Sequence, residues 1–210
     1  MKVQDPVAYQ IRKETLLQYV RHLFATKGYA ETSMDDIAQA CKMQKASLYH
    51  YFESKEQMLR AMIEVEGARW FASLNTNADR PTFRDTLQAI ATTFLKAMDD
   101  VAQREFFQIL HFESPKNPWI YKAWKESPVQ NRDGFYRLFA KHLDGQLPAP
   151  KVGMLITQFM GALLHYATVT KMRSENVCGG PFSDADYVEQ LVSIFSKGVE
   201  ALAISDRPVV

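Results

Sequence analysis

Apolar side chains recur along this chain at spacings of three and four with polar residues between them, and almost no stretch alternates at period two. Ile11, Leu16, Val20, Leu23 and Phe24 form the first such stripe, and Gly28 follows where glycine commonly ends a helix. A first helix is therefore predicted from Val7 to Lys27. Ser33 stands three residues before Asp36, a hydroxyl N-cap with its acidic partner, and Met34, Ile37 and Ala38 give a short apolar face ending near Cys41. Cys41-Lys42-Met43 then makes a tight connection into a third helix, Gln44 to Phe52. Ser54 and Gln57 form a capping box that opens a long fourth helix through Arg69 or beyond. Polar breaks at Asn75 to Pro81, Glu113 to Pro118, Leu143 to Pro150 and Ser174 to Ser183 divide the remainder. They leave helices from Thr82 to about Val101, then over 103–112, 119–142 (with Pro128 a candidate break), 151–173 and 184–203. The expected fold class is all-α.

Two short helices joined by a three-residue turn form a helix-turn-helix, whose second helix suits the DNA major groove. On a wheel of about 100° per residue, Leu48, Tyr51 and Phe52 cluster on one side, which is assigned to the core. Lys45, Ala46, Ser47, Tyr49 and His50 occupy the remaining arc: a cation, small residues that permit close approach, a hydroxyl and two amphipathic rings. That mixture suits a groove floor and its phosphate walls.

These residues resemble the tetracycline-repressor-like (TetR) family of transcription regulators. The resemblance spans about residues 11–60, through Phe24, Gly28-Tyr29, Thr32-Ser33, Asp36-Ile37-Ala38, Leu48-Tyr49-His50-Tyr51-Phe52 and Ser54-Lys55-Glu56. It implies an N-terminal three-helix DNA reader over 1–54 and a C-terminal helical ligand-binding and dimerisation domain over 55–210. It further implies a homodimer on an inverted-repeat, double-stranded operator, released by a small-molecule effector. Carried over residue by residue, it sets Gln44, Lys45, Ala46 and Ser47 near base edges and Tyr49, His50 and Lys55 near phosphates; Ser33 completes the DNA-binding set. Two positions depart from the family pattern. Lys42 stands where glycine is usual in the turn, and Gln44 stands where a serine-like N-cap is usual.

After residue 80 the resemblance fades and only general chemistry guides the expectation. Aromatic residues crowd between Phe106 and Phe139, Phe135 among them, facing the apolar run Met160 to Tyr166, and a mostly apolar cavity with a few polar anchors is expected there. The candidate ligand-binding residues are Phe107, His111, Trp119, Trp124, Tyr136, Met160, Leu164 and His165. In the last helix Val188, Leu191, Val192, Phe195, Val199 and Leu202 form a stripe assigned to the dimer interface, with Gly198 and Ala201 permitting close helix approach.

Lys plus Arg number 25 against 24 Asp plus Glu, a net charge of +1, so an anionic partner must be met by a local patch rather than by the whole molecule. Cys41 and Cys178 are too few for a disulfide framework and lack partners at metal-ligand spacing, which suits a cytoplasmic protein without metal or cofactor. Cys41 is expected to be a small buried hydrophobe. Val152 to Thr170 runs nineteen residues without Asp, Glu, Lys or Arg, but its Gln, His, Thr and Gly content favours a buried soluble helix over a membrane span. An enzyme finds little support, for there is no glycine-rich phosphate loop, no G-x-S-x-G elbow and no Cys with a nearby His. A helical lipid or small-molecule carrier with a vestigial helix-turn-helix is the third alternative, and salt-dependent duplex binding separates it from a regulator.

Overall fold

A computed structural model describes residues 5–75, 80–126, 132–143, 146–172 and 182–205, without the side chains of 74, 75, 132–135 and 203–205. Cys178, Pro128 and the side chain of Phe135 lie outside the described residues. Among the described residues there are helices and no strand. They are α1 (Pro6–Thr26), α2 (Met34–Ala40), α3 (Lys45–Tyr49), α4 (Lys55–Asn75), α5 (Phe83–Ala97) and α6 (Val101–Gln108), followed by α7 (Pro118–Glu126), α8 (Arg132–Leu143), α9 (Ala149–Ala167) and α10 (Asp184–Ser205). A π-helical turn extends α6 over Ile109–Glu113, and another extends α9 over Thr168–Met172.

The helix starts follow from local chemistry. Asp5 accepts a hydrogen bond from Val7 N–H at 3.0 Å to begin α1. Ser33 and Asp36 form the expected reciprocal box, with Asp36 N–H to Ser33 Oγ at 3.1 Å and Ser33 N–H to Asp36 Oδ2 at 2.7 Å. Before α4, Gln57 N–H donates to Ser54 Oγ at 3.1 Å while the Gln57 side chain reaches back to Glu53 N–H at 2.6 Å, one residue earlier than a regular box. Thr82 caps α5 through Asp85 N–H at 3.0 Å.

Two boundaries differ from expectation. The recognition segment is regular helix only over the five residues Lys45–Tyr49, because Tyr51 and Phe52 N–H both turn back to Leu48 C=O to bury Phe52. Helix α5 ends at Ala97, where Met98 turns into the core and Val101 starts a new helix. The 119–142 stretch is two helices, α7 and α8, divided around the candidate break at Pro128.

The chain forms two compact units, residues 1–69 with 101–130, and 70–100 with 131–210. The expected division at 54/55 falls inside the first of these units. The reason is packing: Phe106, Ile109, Ile120 and Ala123 join Leu16, Val20, Phe24, Ile37, Leu48, Phe52, Met58 and Met62 in one buried cluster. Burying these side chains drives the association of α6 and α7 with α1 to α4. Charges complete the contact. Arg21 on α1 pairs with Glu66 on α4 and with Glu105 on α6, the latter at 3.0 Å, and His22 meets Glu105 at 2.6 Å.

The second unit is built on α5, whose Leu87, Ile90, Ala91, Phe94 and Leu95 are buried. Helices α8, α9 and α10 pack on it. An aromatic ladder runs through this unit from Phe83 to Phe139, Phe159 and Phe195, with ring centroids 5.7, 6.0 and 5.1 Å apart in turn. Tyr166 stacks on Tyr187 at 3.8 Å and donates to Asp184 at 3.0 Å, and burial with that bond pushes its phenol up to about 12. Helix α9 with its π-turn is long and apolar enough to cross a membrane by length and composition. One face, carrying Val152, Leu155, Phe159 and Leu163, is buried, whereas Met154, Thr157, Gln158, Gly161 and His165 are exposed on the other.

Candidate nucleic-acid interface

The reading head is α2, the turn Cys41 to Gln44, and α3. Ile37, Ala38, Cys41 and Leu48 point inward and fix the two helices on α1. Burial pushes the Cys41 thiol up, so it stays a protonated packing residue. Lys42 adopts φ 52, the left-handed conformation that the missing glycine would take at lower cost. Gln44 is the extended N-cap residue of α3 and its side chain makes no cap hydrogen bond. It is exposed and free to reach outward.

Lys45, Ala46, Tyr49 and His50 are exposed as well, and Ser47 is half-buried. Lys45 rests on Asp35 at 2.8 Å in an exposed pair, and that bond raises its pKa. Such surface pairs contribute about 0–1 kcal/mol, so Asp35 holds Lys45 only weakly. Ser33 spends its hydroxyl on the α2 cap, donating to Asp36 at 2.6 Å. Lys55 is also engaged, because its ammonium donates to Tyr29 C=O at 2.7 Å and Ala30 C=O at 3.3 Å and sits 4.5 Å above the Tyr29 ring. Partial burial lowers its pKa. It ties α4 to the α1–α2 connection.

One participant was invisible in the sequence. Tyr9 stacks on Tyr51 at 5.0 Å and donates to His50 C=O at 3.3 Å, holding the end of the recognition segment from the start of α1. No local pattern signals a contact across 41 residues.

The eight candidate ligand residues divide between the two units. Phe107, His111, Trp119 and Trp124 belong to the first unit, and Tyr136, Met160, Leu164 and His165 to the second. Phe107, Trp119 and Trp124 pack against the core of the first unit: Trp119 lies edge-on to Tyr29 at 5.3 Å, and Trp124 to Phe106 at 5.4 Å. His111 and His165 are exposed; Tyr136, Met160 and Leu164 are half-buried. Two open grooves flank α5, one of about 550 Å³ along Arg80, Asp85, Gln88, Thr92 and Lys96, the other of about 420 Å³ beside Asp99 and Asp184. Neither is lined by any of the eight.

Of the six residues assigned to a dimer interface, Val188, Val192 and Val199 are buried within the second unit. They pack α10 inward within its own unit. Leu191 and Phe195 are half-buried and Leu202 is 43% exposed. The open face of α10 instead carries Ile194, 70% exposed, with Gly198, Ala201 and Leu202. A single apolar periodicity cannot say which side of a helix meets its own unit and which meets a partner.

A short exposed helix presented by a tight turn from a three-helix core defines a helix-turn-helix protein. Residues 16–62 match the family model described as bacterial regulatory proteins, tetR family. Among curated relatives, the chain is 30% identical over 98 residues to the HTH-type transcriptional regulator YuxN of Bacillus subtilis, a match covering 44% of this chain and 34% of that protein. It is 35% identical over 92 residues to the HTH-type transcriptional repressor KstR2 of Rhodococcus jostii, covering 42% of this chain and 44% of that protein. The matches thus span less than half the length of these relatives. In fold, the chain is similar to AibR, solved in complex with isovaleryl coenzyme A and operator DNA (TM-score 0.65, 23% identity, 87% of this chain and 97% of that one). It is similar also to a TetR-like regulator from Rhodococcus sp. RHA1 (TM-score 0.69, 22% identity, 90% and 96%).

Proposed function

We propose that this protein is a sequence-specific DNA-binding regulator of transcription, a cytoplasmic homodimer that represses from an inverted-repeat operator and is released by a small apolar or aromatic effector. The observation that carries it is the outward face of α3, where Gln44, Lys45, Ala46, Tyr49 and His50 are all exposed while Leu48 anchors the helix beneath them. Gln44 matches adenine N6 and N7, and Lys45 reaches a phosphate or guanine edge. The repressor sense is supported by relatives named as repressors, and the existence of an effector, though not its apolar character, by the isovaleryl coenzyme A in complex with AibR.

The dimer is supported by the exposed faces of α9 and α10. Adding a Cβ at Gly153, Gly161 or Gly198 would meet nothing within 4 Å, so these faces are open to a second helix pair. A two-fold copy of both helices makes a four-helix interface that would cover Met154 and Ile194. For the effector, Tyr136, Met160 and Leu164 on the packed pair α8 and α9 are the favoured candidates. Selection of bound duplexes from a random pool tests the reading: an inverted repeat with half-sites about one helical turn apart supports it, and enrichment of no sequence overturns it.

A further inference from the structure

The buried carboxylate of Glu113 is used neither by the reading face nor by any candidate ligand site. Its residue is 6% exposed at the end of the π-helical turn that closes α6, and it faces the junction between α1 and α2. Its Oε2 accepts Tyr29 N–H at 3.1 Å. Its Oε1 takes Lys116 at 3.0 Å and lies 3.6 Å from where a Cβ on Gly28 would stand. Gly28 itself has φ +93, so the chain leaves α1 in a conformation that only glycine adopts cheaply.

Other elements grip the same junction. Lys55 holds the Tyr29 and Ala30 carbonyls, Trp119 packs edge-on against the Tyr29 ring, and Thr32 Oγ1 donates to Gly28 C=O at 2.7 Å. Tyr29 therefore has its amide, its carbonyl and its ring all fixed, and α2 begins only a few residues later at Met34. The π-turn matters to this arrangement. One extra residue in a turn rotates the next side chains by about 100° around the helix axis, and π-turns often mark functional positions. A regular helix would aim residue 113 elsewhere.

We infer that Glu113 is a positioning residue for DNA reading: by accepting the Tyr29 amide it sets the angle at which α2 and α3 leave α1. The inference rests on the DNA-reading function proposed above. A carboxylate that touches no DNA should govern the specific complex without altering the phosphate count.

The test uses the full-length protein with Glu113→Ala, Glu113→Asp and Glu113→Gln, the duplex selected by the wild type, and an unrelated duplex. Glu113→Ala is expected to bind the selected duplex about tenfold or more weakly, the scale of one base contact out of register. Its affinity for the unrelated duplex and its slope of log affinity against log salt should stay at wild-type values. Hydrogen exchange at the Tyr29 amide should accelerate while that of Leu48 does not. Glu113→Gln keeps an acceptor and should restore both specific binding and Tyr29 protection. Glu113→Asp withdraws the carboxylate by one methylene and should behave as alanine does, which serves where alanine does not fold. Specific binding at wild-type strength in folded Glu113→Ala or Glu113→Asp overturns the inference, as does an equal loss on both duplexes. A wild-type protein that binds no duplex overturns the DNA-reading function itself, an outcome distinct from either.

Discussion

Lys42 holds a left-handed conformation at φ 52 in the turn between the two helices of the reading head. For a residue with a Cβ that conformation costs about 1–2 kcal/mol, offset in part by the larger unfolded-state freedom that glycine would bring. Lys42→Gly is therefore expected to raise stability by up to about 1 kcal/mol, read as a higher urea midpoint at unchanged slope. Gln44→Ala should relax discrimination at one base pair per half-site by about 1–3 kcal/mol, and repeating the duplex selection with that variant checks it. Asp36 gives a pH signature. Its hydrogen bond from Lys27, reinforced by Ser33, holds the carboxyl well below the usual carboxylate range. Its contribution is then fully present above the unfolded value of about 3.9 and is lost as pH falls through the depressed folded value. Urea midpoints measured from pH 6 downward should fall more steeply for wild type than for Asp36→Asn once the pH passes below about 4. These positions were legible in the sequence because each acts over three or four residues: Ser33 with Asp36, Gly28 after Phe24, Lys42 in place of glycine. Glu113 and Glu105 were not, because a carboxylate in a polar stretch reads as solvated until the helix from which its partner comes is known.

At the level of elements, helix starts could be read from their caps, but the direction in which an apolar face turns could not. The stripe Val188, Val192 and Val199 on α10 looks the same whether it meets α5 or a second copy, and it meets the interior of its own unit. The proposed interface therefore falls to the neighbouring face. Ile194→Glu with Met154→Glu should give a folded monomer by sedimentation, with operator binding greatly weakened, whereas a persisting dimer moves the interface elsewhere. Helix α4 approaches α7 closely at Gly67, where an added Cβ would stand 2.7 Å from the Trp124 ring. The indole must shift to admit even a methyl group, so Gly67→Ala is expected to destabilise by about 1–3 kcal/mol. A shifted indole emission together with a lower thermal midpoint would register it, and an unchanged Trp124 environment would count against so close an approach.

For the molecule as a whole, linkage fixes what an effector must do. A ligand that lowers operator affinity binds less tightly to the DNA-bound form by the same factor, with a coupling typically of about 1–3 kcal/mol. Titrating a chemically varied panel with and without the selected duplex measures it, and equal affinities in both conditions would show a ligand without regulatory effect. The aromatic cluster between Phe106 and Trp124 carries a different lesson. In the sequence it reads as the wall of a cavity, yet it fills the core beneath the reading head, because an apolar ring packs equally well against a ligand or a helix. This makes the reader a poor module for exchange. A transplant that cuts after α4 leaves Leu16, Phe24, Met58 and Met62 without the cover of Phe106, Ile109 and Ile120. A chimera that is to keep this protein's specificity must carry two separate pieces of chain, and a nascent chain cannot complete its reader until α7 has left the ribosome.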